Sequence, residues 1–594
     1  MRLRALQKSL RPWPVMFVVS LLLLSLLALA TGATRLSARH AAQPSAGIKG
    51  TPFNGAVAKG VVNLATLPKA ANAGSASQPS LPLPQHGMSP QQQAEYDKNA
   101  IHLPGMPTAV AHPMPDRSAA TSPSFVGGGV LPPVYRSFEG LNNTQGSGNN
   151  TAALSMATDL SYVMQATVNA IGIYSSASGA LLYGPYTSSS FFAPVKLSGD
   201  FLVEPQTFYD VMRDRWIVVY SELTISGSYD HGYIDIAVSQ TNSPTQPTPG
   251  GQYWLYRLEA TQFNTQYGEH CSRPQIGADY WGLYIVCQAY SNGPGQYVGN
   301  YILALDKTRL YSGASASGAV YTNIPIDLNT CGNGGTSPCP ARVLNPAVED
   351  GVPDAEFFTA INDYSPVSSN LTLCAMTNTN ALTGNSTAPT LTCGNNTLPT
   401  SYAFPVSAPQ PGGGIAYTPG NDPSRVEYKA GMLHLAWTTA ATVSSSSVDA
   451  IYWLDIQPFL TTVAAHSPQW FNGMVVQNQG IWALSSQTYL FDPILWTSDE
   501  QDDALVYHVV SSAHNIYLSI GYSGRKATDA ANTLGQDTSA FVMSGSHAYS
   551  SSLGPMCALP LNSVTRGIVW CSESYTGSQA DPGWNTRIFA LRTE

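Results

Sequence analysis

The chain predicts an all-β protein, a β-propeller of seven blades in preference to six, set behind an N-terminal signal or anchor segment and a disordered linker. Three observations lead there. Only 11% of the 594 residues are charged, while Gly (51), Pro (43) and Tyr (31) are abundant, a composition of turns and short strands that is poor in builders of surface helices. From about residue 130 onward, short β-branched and aromatic runs alternate with Gly/Asn/Ser/Pro turns. Seven of those runs read as variants of one strand: "LSYVMQATVN", "RWIVVYSE", "WGLYIVCQAY", "AEFFTAIND", "GMLHLAWTT", "ALVYHVVSS" and "RGIVWCSES". Each is entered from a turn and carries large apolar residues at alternate positions. Their anchors, Met164, Trp216, Leu283, Phe357, Leu433, Val506 and Ile568, recur at roughly 50–76 residues, within reach of the period of a four-stranded blade with long loops.

Further strands are visible inside the units, with "GYIDIAVSQ" and "YWLYRLE" after the second run and "VDAIYWLDIQ" after the fifth. Such sheets cannot be buried singly and are stable when packed face to face around an axis. Two stacked sandwiches are the alternative, and they would show a strand spacing of about 8–12 residues without long-period recurrence.

At the N-terminus, Arg2, Arg4, Lys8 and Arg11 precede an apolar run over residues 15–30, with small residues at Ala28, Ala30 and Ala33. This reads as a secretory signal peptide. The alternative is an uncleaved anchor, because residues 15–33 match the ~17–20 residues that span hydrocarbon. Both place the remainder outside the cytoplasm, secreted or held at the outer face of the membrane. Residues 1–34 are assigned to this segment. Residues 35–129, rich in Pro, Ala, Ser and Gln, are expected to form a mostly disordered linker, and 130–594 the propeller.

The eight cysteines all follow residue 270 and fall into local couples, Cys271/Cys287, Cys331/Cys339, Cys374/Cys393 and Cys557/Cys571. An even count in an exported chain reads as disulfides, and local bridging is the simplest of the 105 pairings. There is no C-x-x-C and no histidine cluster to suggest a metal-binding cysteine set. The net charge of −9 is mild, and Lys and Arg are scattered, which argues against a nucleic-acid partner.

The stretch "VNAIGIYSSASGALLYGP" (168–185), together with "EPQTFYDVMRDRWIVVYSE", "IDIAVSQTNSPT", "YWLYRLEA" and "RPQIGADYWGLYIV", resembles a group of exported bacterial propeller proteins. Their architecture is related to that of sialidases and BNR-repeat proteins. The resemblance covers roughly residues 135–325 well and the later part by pattern. It implies a propeller and no assigned reaction. The group's acidic Gly-rich turn before the first strand is replaced here by "NNTAALSMATDLS", so no ligand is carried over from it.

Glycoside hydrolysis needs two carboxylates facing one cleft, and the acids available at blade-opening turns are Glu204, Asp210, Asp214, Glu349, Asp350 and Asp354. Asp210, Arg213, Asp350 and Asp354 are the candidate ligand-binding residues, although an acid at such a turn more often caps it or pairs locally. "SDEQDD" (498–503) is the densest acidic cluster, and Asp499, Asp502 and Asp503 are candidate calcium ligands. Their spacing is not that of an EF-hand, and a solvated hairpin tip explains them as well. His434, His508 and His514 lie in or near strands and read as structural rather than ligating. Tyr253, Trp254 and Trp470 lie near turns, where rings serve sugar faces or the core. No G-x-S-x-G, H-E-x-x-H or P-loop pattern occurs, and the arginines are too scattered for a sialidase carboxylate site. The N-x-S/T sequons at Asn142, Asn149, Asn370, Asn385 and Asn395 are acceptors only in a glycosylating source. The resulting expectation is a binding module for an extracellular glycan or protein partner. The alternative is a glycosidase-type hydrolase with an axial site.

Overall fold

Seven antiparallel four-stranded meanders follow one another along the described chain. The structure is a computed structural model. It describes residues 47–69, 90–114 and 131–593, except for 57, 146–153, 224–231, 247–250, 261–268, 292–296, 323, 325–343, 350–354, 362–365, 385–387, 417–424, 463–468, 535–538, 549–555, 559–566 and 578–582. Blades 1 to 6 cover residues 154–187, 201–259, 269–321, 345–403, 426–482 and 489–545. Blade 7 takes three strands from 556–592 and its fourth from Val134–Asn142, so the start of the propeller closes its end. The first strand of each blade neighbours the first strand of the next, and that of blade 7 neighbours that of blade 1. This ring of inner strands makes the fold a β-propeller.

The seven recurring runs are the second strands of the seven blades, from Tyr162–Thr167 in blade 1 to Ile568–Thr576 in blade 7. Their burial differs from simple alternation. In Arg215–Leu223 of blade 2, Trp216, Ile217, Val218, Val219 and Tyr220 are all fully buried. Ile217 and Val219 join the core shared with blade 3, while Trp216, Val218 and Tyr220 join the core shared with blade 1. Every blade is sandwiched between two others, so both faces of its middle strands must be apolar. Packing is close enough that a Cβ on Gly277 would lie 2.5 Å from Glu356 Oε1 in the next blade.

Two parts of the segment expected as a linker, 47–69 and 90–114, are ordered. Three short strands within it, Ala58–Asn63, Thr51–Asn54 and Ile48–Lys49, add as fifth strands to blades 2, 3 and 4. A helix at Pro90–Asn99 buries Tyr96 and leads to Ala100, which is buried with it against Phe404 and Val406. Tyr96 Oη donates to the Phe404 carbonyl (2.6 Å), and the His112 ring stacks 4.1 Å from Trp482. Outer strands present a row of open backbone groups, and the N-terminal arm pairs with those of blades 2, 3 and 4. Each added strand is too short, and too solvent-facing on one side, to leave a hydrophobic period.

Two disulfides are described, Cys271–Cys287 in blade 3 and Cys374–Cys393 in blade 4, with Cα separations of 5.0 and 4.0 Å. Cys557 stands opposite Cys571 in strand register, and Cys571 is disulfide-bonded. Cys331 and Cys339 lie outside the described residues, as does the apolar segment 15–30. Among the described residues no helix is long and apolar enough to cross a membrane.

Candidate functional site

The turns between first and second strands carry a recurring aspartate. Asp159 Oδ1 accepts from the Ser161 and Tyr162 N–H groups (both 2.6 Å). Asp210 Oδ1 accepts from Met212 and Arg213 (3.0 and 3.2 Å), and Asp279 Oδ1 from Trp281 and Gly282 (2.8 and 2.6 Å). In each case the carboxylate replaces a backbone acceptor in a tight turn. Asp210 Oδ2 is also 2.7 Å from Lys307 Nζ and accepts from Tyr311 Oη at 2.7 Å. The Asp210 and Lys307 side chains have no solvent exposure. Asp210 is therefore a bolt between blades 2 and 3, and the structure gives it no open face toward a ligand. Asp210→Asn should lower unfolding stability by about 3 kcal/mol, because it leaves Lys307 charged and uncompensated inside the seam. Denaturant titration measures this, and an unchanged midpoint would refute the bolt.

Arg213 reaches the next blade. Its guanidinium lies 4.0 Å from the centre of the Tyr280 ring, and Nε donates to the Tyr280 carbonyl at 3.2 Å. Tyr280 meets Trp281 edge-on at 4.8 Å. On the blade 2 side, Tyr209 Oη donates to Asp214 Oδ1 (3.2 Å). Tyr162, Tyr209, Arg213, Arg215, Tyr280 and Trp281 all remain partly exposed, and Leu160 beside them is 40% exposed. Six aromatic and arginine side chains thus share one turn-bearing face over blades 1 to 3. The sequence had marked Arg213 alone. The Tyr280–Trp281 pair was legible only as part of a strand run, since its partner lies 67 residues away.

Among the described residues, the other candidate acids have local partners or stand exposed. Glu204 meets Ser272 Oγ (3.3 Å) and the Arg273 N–H, and burial pushes its carboxyl up. Asp214 is exposed. Glu349 accepts from the Phe357 N–H at 3.2 Å, and burial, followed by neighbouring carboxylates, holds both Glu349 and Glu356 well above the carboxylate range. Asp350 and Asp354 lie outside the described residues. At the axis, Arg425 reaches from the start of blade 5 to the Thr207 carbonyl of blade 2 (3.2 Å) and is 4% exposed. Val348 packs against the cores of blades 2–3 and of blades 6–7. These side chains reach between blades that are not neighbours in the ring.

The three acidic candidates of 498–503 part company. Asp499 pairs with Lys429 Nζ (2.6 Å), Asp502 accepts from the Ala527 N–H (2.7 Å), and Asp503 turns inward to the seam between blades 5 and 6. There it faces His434, whose Nδ1 is 2.9 Å from Asp455 Oδ1 and 3.7 Å from Asp503 Oδ1. Linear spacing gives no sign of this trio, which comes from three strands of two blades. His508 occupies the next seam, 3.5 Å from Asp492 Oδ2 and 2.9 Å from Glu573 Oε1 of blade 7. Burial opposes its charge, but Glu573 and Asp492 outweigh burial and hold the imidazole up at about 10. His514 donates its backbone N–H to Ser511 Oγ in a turn. Tyr253 is core, and Trp254 packs partly buried beside Lys59; nothing further is described of the Trp470 side chain.

No protein-family model matches the chain, and no curated protein matches it. Among solved structures it is similar to the polysaccharide lyase Uly1, at 9% identity and a TM-score of 0.35, over 82% of this chain and 97% of that one. It is also similar to the phage phi92 endosialidase, at 9% identity and a TM-score of 0.27, over 65% and 66%. A third similarity is to Drosophila Plexin A in complex with Semaphorin 1b, at 8% identity and a TM-score of 0.32, over 78% and 88%.

Proposed function

We propose that the propeller is a binding module working outside the cytoplasm, and that the partly exposed Tyr/Trp/Arg shelf over blades 1 to 3 receives a glycan or a protein partner. The shelf is the observation that carries this reading. Tyr, Trp and Arg are the side chains that anchor protein interfaces, and flat rings with a cation beside them also suit the faces of sugars. The described candidate acids, by contrast, have local roles at turns and seams, and disulfides within the propeller suit an oxidising compartment.

Trp281→Ala and Arg213→Gln test it, since both residues lie at the surface. On a glycan array and in capture from the secreted proteins of the source, wild type should retain a ligand that both variants bind at least tenfold more weakly, a loss of about 1.4 kcal/mol or more. Their melting temperatures should stay close to that of wild type. Binding by both variants at full strength would overturn the assignment of the shelf. The same preparation should show no turnover of aryl glycosides, sialosides included. Turnover abolished by an acid-to-amide substitution in a folded variant would replace the binding module with a hydrolase.

A further inference from the structure

We propose that His434, Asp455 and Asp503 form a site for one first-row divalent metal ion of the zinc class, set in the seam between blades 5 and 6. His434 sits on the second strand of blade 5, and Asp455 stands directly opposite it on the third. Asp503 begins the second strand of blade 6. One ligand atom from each lies within 4.8 Å of the other two, and all three residues are buried. One imidazole nitrogen with two carboxylate oxygens suits zinc, manganese or iron(II). Calcium takes about six to eight oxygens and finds too few here.

The distances also fit an ion shared by the three side chains. Donors about 2 Å from a tetrahedral ion stand about 3.3 Å apart, and the two His434 Nδ1 separations, 2.9 and 3.7 Å, bracket that value. A single hydrogen on Nδ1 accounts for the shorter contact and leaves Asp503 facing the same nitrogen beyond hydrogen-bond reach. Asp503 is 1% exposed, and its Oδ2 has no hydrogen-bond partner; Arg525 Nη1 stands 4.0 Å away. A buried carboxylate oxygen that accepts no hydrogen bond and whose nearest cation on that oxygen, Arg525, stands 4.0 Å away is poorly compensated, and a metal ion would meet it directly. That oxygen can supply the fourth donor by chelation.

A second layer holds the donors. Asn478 Nδ2 donates to Asp455 Oδ2 (3.0 Å), and Thr497 Oγ1 to Asp503 Oδ1 (2.7 Å). Arg525 Nη2 donates to Asn478 Oδ1 (3.4 Å). Outer partners that orient ligating carboxylates are a regular feature of metal sites. The location also suits a clasp. Blades 3, 4 and 5 are joined by parallel pairing of their first strands, whereas among the described residues no strand pairing joins blade 5 to blade 6. An ion would add a staple between two sheets already joined by contacts such as Thr497 N–H to Glu427 Oε2 (2.6 Å). His434, read from sequence as structural, would then be structural through the metal.

The test uses the untagged full chain, stripped with a chelator and dialysed against zinc chloride or manganese chloride alone. Elemental analysis should find about one equivalent retained per chain, with a higher melting temperature than the stripped protein. His434→Gln and Asp503→Asn should each lower retention at least tenfold, and Asp499→Asn, outside the trio, should not. Asn478→Ala, a change in the outer layer that keeps every donor, should weaken retention about 10–100-fold and so serves if the first two variants fail to fold. Less than about a tenth of an equivalent of either metal on wild type, or undiminished retention in the folded variants, would overturn the site.

Discussion

Raising the pH from 5 to 9 is expected to destabilise the propeller, by about 3–5 kcal/mol and on the order of 5 °C in melting temperature. His508 is fully buried between Asp492 and Glu573, and its imidazole is held up at about 10 against an unfolded value near 6.5. A group whose folded pKa is raised contributes all its stability below the unfolded pKa and loses it as pH rises through the folded one. For His508 that window opens near pH 6.5 and closes near 10. The raised carboxyls act in the same sense, because the folded state holds their protons more tightly than the unfolded chain does. Burial, partly offset by the charge of His508, places Glu573 at about 7. Burial and then the Glu222 charge raise Asp235 well above the ordinary range, and burial with neighbouring acids does so for Glu349, Glu356 and Asp449. Each is favourable below about pH 4 and becomes a liability as pH climbs through its shifted value. No raised group here opposes the trend. Thermal unfolding at half-unit steps of pH, with His508→Gln flattening the slope above pH 6.5, measures it. A melting temperature that is level or rises from pH 5 to 9 would show that these groups are solvated or paired otherwise in the folded protein.

The second large effect is expected from shortening the chain at its N-terminus. A chain beginning at residue 131 keeps every four-stranded blade, yet it should be far less stable than one beginning at residue 41. The removed arm includes the fifth strands of blades 2, 3 and 4. It also removes Val62 and Leu64 from the core shared by blades 1 and 2, and Tyr96 and Ala100 from the cluster beside blades 4 and 5. Burying a large apolar side chain is worth about 1.5–3 kcal/mol. The sum reaches a large fraction of the roughly 5–15 kcal/mol net stability of an ordinary domain. Three outer strands would also lose their partners and offer open edges to other copies. The shortened chain should appear in the aggregated fraction on size exclusion, or melt on the order of 10 °C lower. Equal melting temperatures and a clean monomer peak for both chains would show that the arm is dispensable.

The sequence by itself determined the all-β class and located the second strand of every blade, because those strands are buried on both faces and must read as dense apolar runs. It also located the Cys271–Cys287 and Cys374–Cys393 couples, since antiparallel neighbours close in sequence are also close in space. It could not show the arm. Strands of two to six residues added to a sheet edge bury only single side chains such as Val62, too few to leave a period, and backbone hydrogen bonding to a distant blade does the rest. Nor could it separate Asp210, Asp499, Asp502 and Asp503, four aspartates with similar surroundings in sequence. Asp210 bolts a seam through Lys307, Asp499 pairs with Lys429, Asp502 caps a turn, and Asp503 enters a buried trio with His434 and Asp455. Those roles depend on which blade lies opposite. In a ring, the residues that meet across a seam come from successive units some 50–76 residues apart or, where the ring closes, from opposite ends of the domain, as Gln165 meets Ser572, and only tertiary packing chooses the pairs.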